Sequence, residues 1–87
     1  MKLEWRKARN CRFSGNHAGG KYVFWVRIPN TDNKQFDIRP IFREYSLDVI
    51  GYKLCIAEVK FGTVILGEEL GIFDTSIEAK RFAESLI

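Results

Sequence analysis

Residues 66–87 read LGEELGIFDTSIEAKRFAESLI, a pattern that predicts a short strand followed directly by an amphipathic helix. Thr75 followed three residues later by Glu78 forms a capping box, which satisfies free amide donors at a helix start. One apolar stripe follows at helical spacing, made of Ala79, Phe82, Ala83 and Leu86. Because a single helix cannot bury such a stripe alone, we expect it to pack on a sheet formed by the upstream strands.

The rest of the chain predicts strands separated by turns. The strongest strand signals are KYVFWVRI (Lys21–Ile28), which is apolar on both faces, and the run Tyr52–Phe61. Shorter extended segments are predicted at residues 2–8, 35–39, 63–66 and 70–73, whereas residues 41–47 fit either a helical turn or extended chain. The expected fold class is therefore α+β, a mostly antiparallel sheet of five or six strands with one C-terminal helix packed on one face.

The length and composition predict one domain, residues 1–87, with a small core. Apolar residues make up 46% of the chain, which is enough for a globular fold. No apolar run is long enough to span a bilayer and no signal peptide is recognisable, so we expect a soluble, cytoplasmic protein. Cys11 and Cys55 are too few for a disulfide framework and are interpreted as reduced thiols, with Cys55 buried in a strand.

The net charge of +3 conceals an uneven distribution of charge. Residues 1–27 hold seven bases and one acid, a net of +6, whereas residues 28–87 hold seven bases and ten acids, a net of −3. Clustered cations contact phosphates and aromatic rings stack on bases, so this basic front is the best candidate binding surface. Its candidate residues are Lys2, Trp5, Arg6, Lys7, Arg9, Arg12, Lys21, Trp25 and Arg27. Alternatively, both tryptophans belong to the core and the bases form a solvated rim.

The segment Gly15–Lys21, GNHAGGK, matches the first part of a phosphate-binding P-loop. A P-loop continues with a Ser or Thr and a helix, whereas Tyr22 and a strand follow here. The segment is therefore interpreted as a glycine-rich loop. His17 is the only histidine, and a lone loop histidine predicts neither a metal site nor a catalytic residue.

Residues 47–60, LDVIGYKLCIAEVK, resemble the D…E-x-K signature of the PD-(D/E)xK nuclease family. The resemblance implies metal-assisted phosphodiester hydrolysis. Asp48 and Glu58 would be the Mg²⁺ ligands, and Lys60 would position the attacking water. The alternative interpretation is a set of solvent-facing charges on an antiparallel strand.

The segment LGIFDTSIEAK (Leu70–Lys80) resembles part of the three-stranded-sheet-plus-helix DNA-binding domains. These include the plant ethylene-response-factor domain and the arm-binding domain of phage-type integrases. The matched residues are structural, with Gly71 at the strand end, Phe73 in the core and Thr75 at the helix cap. In those families, arginines and tryptophans on the exposed sheet face read DNA. In size and style the chain also resembles small phage and prophage accessory proteins.

These patterns favour a non-enzymatic binding module of mobile-element style that binds and blocks a host protein or nucleoprotein complex, as anti-CRISPR-like inhibitors do. For a protein partner, the expected contacts are the acidic region 66–84, with Glu68 and Glu69, or the strand at residues 21–28. The alternative is a nucleic-acid-binding protein that uses the basic front. A homodimer is a further alternative, no cofactor or membrane contact is predicted, and a metal-dependent nuclease ranks last.

Overall fold

The computed structural model describes residues 2–9, 22–46 and 48–87. The P-loop-like segment, His17, Cys11, Arg12 and Lys21 lie outside these ranges. Within them the elements are β1 (Arg6–Arg9), β2 (Tyr22–Arg27), β3 (Lys34–Phe42), β4 (Val49–Lys60), β5 (Thr63–Phe73) and α1 (Ser76–Ser85). The strands form one antiparallel sheet in the order β1-β2-β3-β4-β5. The α+β prediction of an antiparallel sheet with one C-terminal helix is therefore confirmed.

The core lies between α1 and one face of the sheet. Its buried members are Val26, Phe36, Ile38, Leu54, Ala79 and Ala83. Thr75 caps the helix as predicted, because its hydroxyl oxygen accepts a hydrogen bond of 3.1 Å from the Glu78 amide. The apolar stripe is only partly buried. Small alanine side chains bring α1 close to the sheet, whereas Phe82 contacts Phe73 with ring centroids 5.3 Å apart and still has 39% of its surface exposed.

The opposite side of the sheet is not covered by α1, and we call it the open face, although some of its side chains are buried. Because successive strand residues point to opposite faces, the neighbours of the core residues point here. Its side chains include Arg6, Trp25, Arg27, Gln35, Asp37, Arg39, Lys53 and Cys55. Cys55 is buried within β4, as predicted.

The bounds of β1 and β3 differ from the sequence prediction. β1 begins at Arg6, because the preceding residues turn towards α1, where the Leu3 amide donates a hydrogen bond to Glu84. β3 continues through Pro40, which pairs with Tyr52 on β4. The pairing of β3 with β2 ends at Ile38, before this position. A proline fits there because its missing N–H has no partner strand to meet.

The two segments predicted at residues 63–66 and 70–73 are one continuous strand, β5. Its pairing with β4 is irregular between Ala57 and Leu54. Gly67 lies within the strand at this irregularity, where a Cβ atom would come within 2.9 Å of the Ile56 carbonyl oxygen. The glycine is therefore required by a close approach of two backbones.

No helix among the described residues is long and apolar enough to cross a membrane.

Candidate functional site

The structure divides the predicted basic front between the two faces of the sheet. Arg6, Trp25 and Arg27 lie on the open face. Trp5 instead packs at the edge of the core, 6.3 Å from the Phe36 ring, and its indole N–H donates a hydrogen bond of 3.1 Å to Glu84. Trp5 therefore lies at the edge of the core, as the alternative interpretation expected of both tryptophans.

Among the remaining residues of the basic front, the structure describes the side chains of Lys2 and Lys7. Lys2 is exposed near the chain start, and Lys7 is paired with Phe24, which points to the helix side. Arg9 is described only as the backbone partner of Tyr22, and the remaining two, Arg12 and Lys21, lie outside the described residues. The described residues of the basic front that share the open face with Trp25 are Arg6 and Arg27.

One row of side chains crosses the open face from strand to strand. In register, the row runs through Arg6, Trp25, Asp37, Cys55 and Glu69. The Arg6 guanidinium carbon lies 5.6 Å from the centroid of the Trp25 ring, a cation–π contact. This contact holds the indole ring at the cationic edge of the sheet.

Asp37 lies at the centre of that row with only 2% of its surface exposed. Its carboxylate accepts a hydrogen bond of 2.8 Å from Arg39 Nε. Burial raises the pKa of Asp37 above its usual value, against the lowering effect of Arg39 and of a hydrogen bond from Gln35. Burial likewise raises the pKa of the Cys55 thiol, so this sulfur stays protonated at neutral pH and is a poor nucleophile.

A cleft of about 270 Å³ opens at one end of the open face. It is lined by Trp25, Arg27, Asp32, Asn33, Lys34, Gln35 and Val59. The β2–β3 turn forms its rim and is closed by a hydrogen bond of 3.0 Å from the Ile28 amide to the Lys34 carbonyl. The Arg27 guanidinium donates to the Asp32 carbonyl oxygen, which orients this cation at the rim.

The end of the β4–β5 hairpin, residues 57–66, is a second unusual surface, which we call the β4–β5 arm. Its exposed large apolar side chains are Val59, Phe61, Val64, Ile65 and Leu66. Phe61 and Gly62 form the connection and have φ angles of 53° and 75°, as in a two-residue hairpin turn with a left-handed backbone. Phe61 is completely exposed at its tip.

Sequence reasoning missed the arm, although two signals were present. An asparagine or aspartate is the usual residue before glycine in such a turn, so a phenylalanine at this position is unusual. The run Val64-Ile65-Leu66 also lacks the polar alternation of a strand with one solvated face. Together these signals indicate exposed apolar surface.

The acidic contact residues predicted for a protein partner lie on β5, which is an edge strand of the sheet. Glu68 and Glu69 are both exposed. Glu69 pairs with Lys53 at 3.5 Å on the open face, a surface ion pair of small energetic value. The acidic pair therefore borders the β4–β5 arm.

The nuclease-like residues do not form a metal site. Asp48 precedes β4 and Glu58 lies near its other end, so the two are roughly 30 Å apart at about 3.3 Å per strand residue. Glu58 and Lys60 share a face, as predicted, but form an ion pair of 3.3 Å with each other. In the described part of the chain, no group of three His, Cys, Asp or Glu side chains is placed to hold a metal ion. The metal-dependent mechanism is therefore not supported by the positions of these residues.

Comparison with known protein families, with curated proteins and with solved structures finds no match. The resemblances to DNA-binding domains and to phage accessory proteins therefore stay predictions.

Proposed function

We propose that this chain is a protein-binding module that docks on its partner through the β4–β5 arm. The observation that carries the proposal is Phe61, a completely exposed aromatic ring on a left-handed backbone, at the tip of an arm whose other large apolar side chains are exposed as well. That backbone costs about 1–2 kcal/mol for an L-residue with a Cβ atom. Strain of this kind concentrates at functional sites, and a ring exposed at the tip of a hairpin can fill an apolar pocket.

The surroundings of Phe61 support a docking role. Val59 pairs with Val64 and both point to the same side of the arm, while Ile65 points to the other side. The neighbouring pair Glu58 and Lys60 is charged. An aromatic anchor flanked by aliphatic side chains and bordered by charges is the usual composition of a binding hot spot with its polar rim.

The charges of β5 favour a different protein over a second copy of this chain. Glu68 is the midpoint of β5. Two copies that paired through this edge about its midpoint would place their Glu68 side chains opposite each other, and like charges in that position destabilise a sheet. A partner with an apolar pocket and basic residues near its edge fits the arm better.

Inhibition of the partner is the second half of the proposal. A module this small acts by covering a surface, so blocking of a host protein or nucleoprotein complex would follow from docking over that partner's own binding site. The DNA-binding alternative is not needed for this role.

The test compares two variants that are matched in exposure and backbone. Phe61 and Tyr45 are both almost completely exposed, at 103% and 98%, and both have positive φ angles, 53° and 57°. Asparagine tolerates this backbone, so Phe61→Asn and Tyr45→Asn should both fold, with urea midpoints at or above that of the wild type. Affinity capture from lysate of the encoding cells, with quantitative proteomics, should find proteins that the wild type and Tyr45→Asn retain and Phe61→Asn loses.

The captured protein is then purified and titrated calorimetrically. We expect Phe61→Asn to weaken binding at least tenfold, as loss of an aromatic anchor does, and Tyr45→Asn to bind as the wild type does. Equal capture and affinity for all three chains would overturn the proposal. A wild-type dimer in light scattering that Phe61→Asn converts to monomer would also overturn it, since the arm would then serve self-association.

A further inference from the structure

The cleft at the end of the open face has two walls and a polar floor. Trp25 on β2 and Val59 on β4 stand on either side of β3, and Gln35 on β3 lies between them. Trp25 lies opposite Asp37, whereas Val59 falls just beyond the pair of Lys34 and Glu58, so the two walls are roughly 10 Å apart across the strands and about 13 Å apart along them. A volume of about 270 Å³ is at the small end for ligand sites. The cleft therefore has room for one planar ring with a small appendage.

The floor and the rim offer different chemistry to such a ligand. Gln35 is 8% exposed and its amide N–H₂ donates to Asp37, which leaves its carbonyl oxygen as an acceptor. The Asn33 amide nitrogen lies 3.5 Å from Glu58, so its carbonyl oxygen is likewise an acceptor. Primary amides of this kind hydrogen-bond to the edges of nucleobases.

The rim of the cleft is suited to a phosphate group. Arg27 is the cation at this rim, and its guanidinium is fixed by the Asp32 carbonyl. A planar guanidinium held in place presents paired donors to phosphate oxygens. Asp32 also lines the cleft, and it contacts Arg27 through its backbone carbonyl oxygen.

We propose that this cleft binds a nucleotide, with the base against Trp25 and the phosphate at Arg27. Stacking on an aromatic ring and contact of the backbone with cations are the two components of single-strand binding. The same chemistry suits a free mononucleotide or one unit of a single strand. Because Arg6 extends the cationic surface beyond Trp25, a single strand should bind more tightly. This site is independent of the proposed role of Phe61.

The experiment measures anisotropy of fluorescein-labelled single-stranded and duplex oligonucleotides of equal length from 20 to 200 mM salt, and tryptophan quenching by adenosine monophosphate. Arg27→Gln removes the phosphate contact, and Arg81→Gln removes an exposed arginine on α1 as the matched control. We expect Arg27→Gln to weaken single-strand binding at least fivefold. It should also reduce the slope of log K against log salt by about 0.7, the value for one contact. Arg81→Gln and Phe61→Asn should bind as the wild type does.

Trp25→Phe and Trp25→Leu test the stacking surface, with circular dichroism as the folding control. Phenylalanine should retain most of the binding and leucine should lose at least tenfold, while Arg27→Gln remains decisive if Trp25→Leu does not fold. Tighter binding of the single strand than of the mononucleotide identifies a nucleic acid as the ligand of the cleft, and equal binding identifies a free nucleotide as the ligand. No binding of either at 20 mM salt would overturn the inference. Equal weakening by Arg81→Gln, or equal affinity for the duplex, would also do so.

Discussion

Asp37 is buried at the centre of the open face and forms an ion pair with Arg39. Burial raises its pKa, whereas Arg39 lowers it. Because the folded pKa lies above the usual value of 3.8, the folded chain binds this proton more tightly than the unfolded chain does. The contribution of Asp37 to stability is therefore complete below pH 3.8 and is lost as pH rises through the folded pKa.

Asp37→Asn should remove this loss of stability. The asparagine oxygen can still accept the hydrogen bond from Arg39 Nε, and the side chain no longer ionises. In the wild type, Asp37 should make the free energy of unfolding fall as pH rises from 4 to 7. We expect a smaller fall in Asp37→Asn. Urea titrations at half-unit pH intervals measure this difference. Parallel curves for the two chains would show that Asp37 titrates alike in the folded and unfolded states.

The irregular pairing of β5 with β4 separates the arm from the part of the hairpin that α1 covers. Gly67 permits it, since an added Cβ would lie 2.9 Å from the backbone oxygen of Ile56. Gly67→Ala must displace backbone, so we expect a loss of about 1–3 kcal/mol in the free energy of unfolding. Urea denaturation measures the loss, and Glu68→Ala, at the exposed neighbouring position, should change stability by less than about 0.5 kcal/mol. An unchanged midpoint for Gly67→Ala would mean that the two strands can separate freely there.

Elements whose signals are local were predictable from the sequence. The start of α1 follows from Thr75 and Glu78, which lie one turn apart, and the existence of β2 follows from its run of β-branched and aromatic residues. The continuity of β5 was not predictable, because Gly67 is the same residue in a turn and in a close approach of two strands. The two local signals at Phe61 and residues 64–66 indicate apolar surface on the arm, but which of its faces α1 leaves uncovered depends on where the helix packs.

At the scale of the whole molecule, the two ends of the described chain meet at one carboxylate. Glu84 accepts a hydrogen bond of 2.8 Å from the Leu3 amide and one of 3.1 Å from the Trp5 indole. These contacts turn residues 3–5 away from the sheet and place Trp5 against the core. Sequence analysis placed Trp5 in a binding surface because alternation with charged neighbours also predicts a strand, and a contact between residues 79 positions apart leaves no local signal.

Glu84 should give the chain a pH dependence opposite in sign to that of Asp37. The hydrogen bond from the Leu3 amide, followed by that from Trp5, lowers the pKa of Glu84. A lowered folded pKa contributes stability above the usual value of 4.5, and this contribution is lost as pH falls through the folded pKa. Glu84→Gln keeps an acceptor oxygen without the charge, so its stability should fall less than that of the wild type between pH 6 and 3.

Thermal unfolding followed by tryptophan fluorescence measures this effect, with Glu44→Gln in the β3–β4 turn as the control. Glu84→Ala removes the oxygen that accepts both hydrogen bonds and should lower the melting temperature at every pH. The contribution of Asp37 is lost as pH rises above its usual pKa of 3.8, and that of Glu84 is lost as pH falls below its usual pKa of 4.5, so the two act in largely separate pH ranges. The variant that carries both Asp37→Asn and Glu84→Gln should therefore have a flatter pH profile than either single variant. A melting temperature of Glu84→Ala equal to that of the wild type would show that the chain ends are held by the apolar contacts of Leu3 and Trp5 alone.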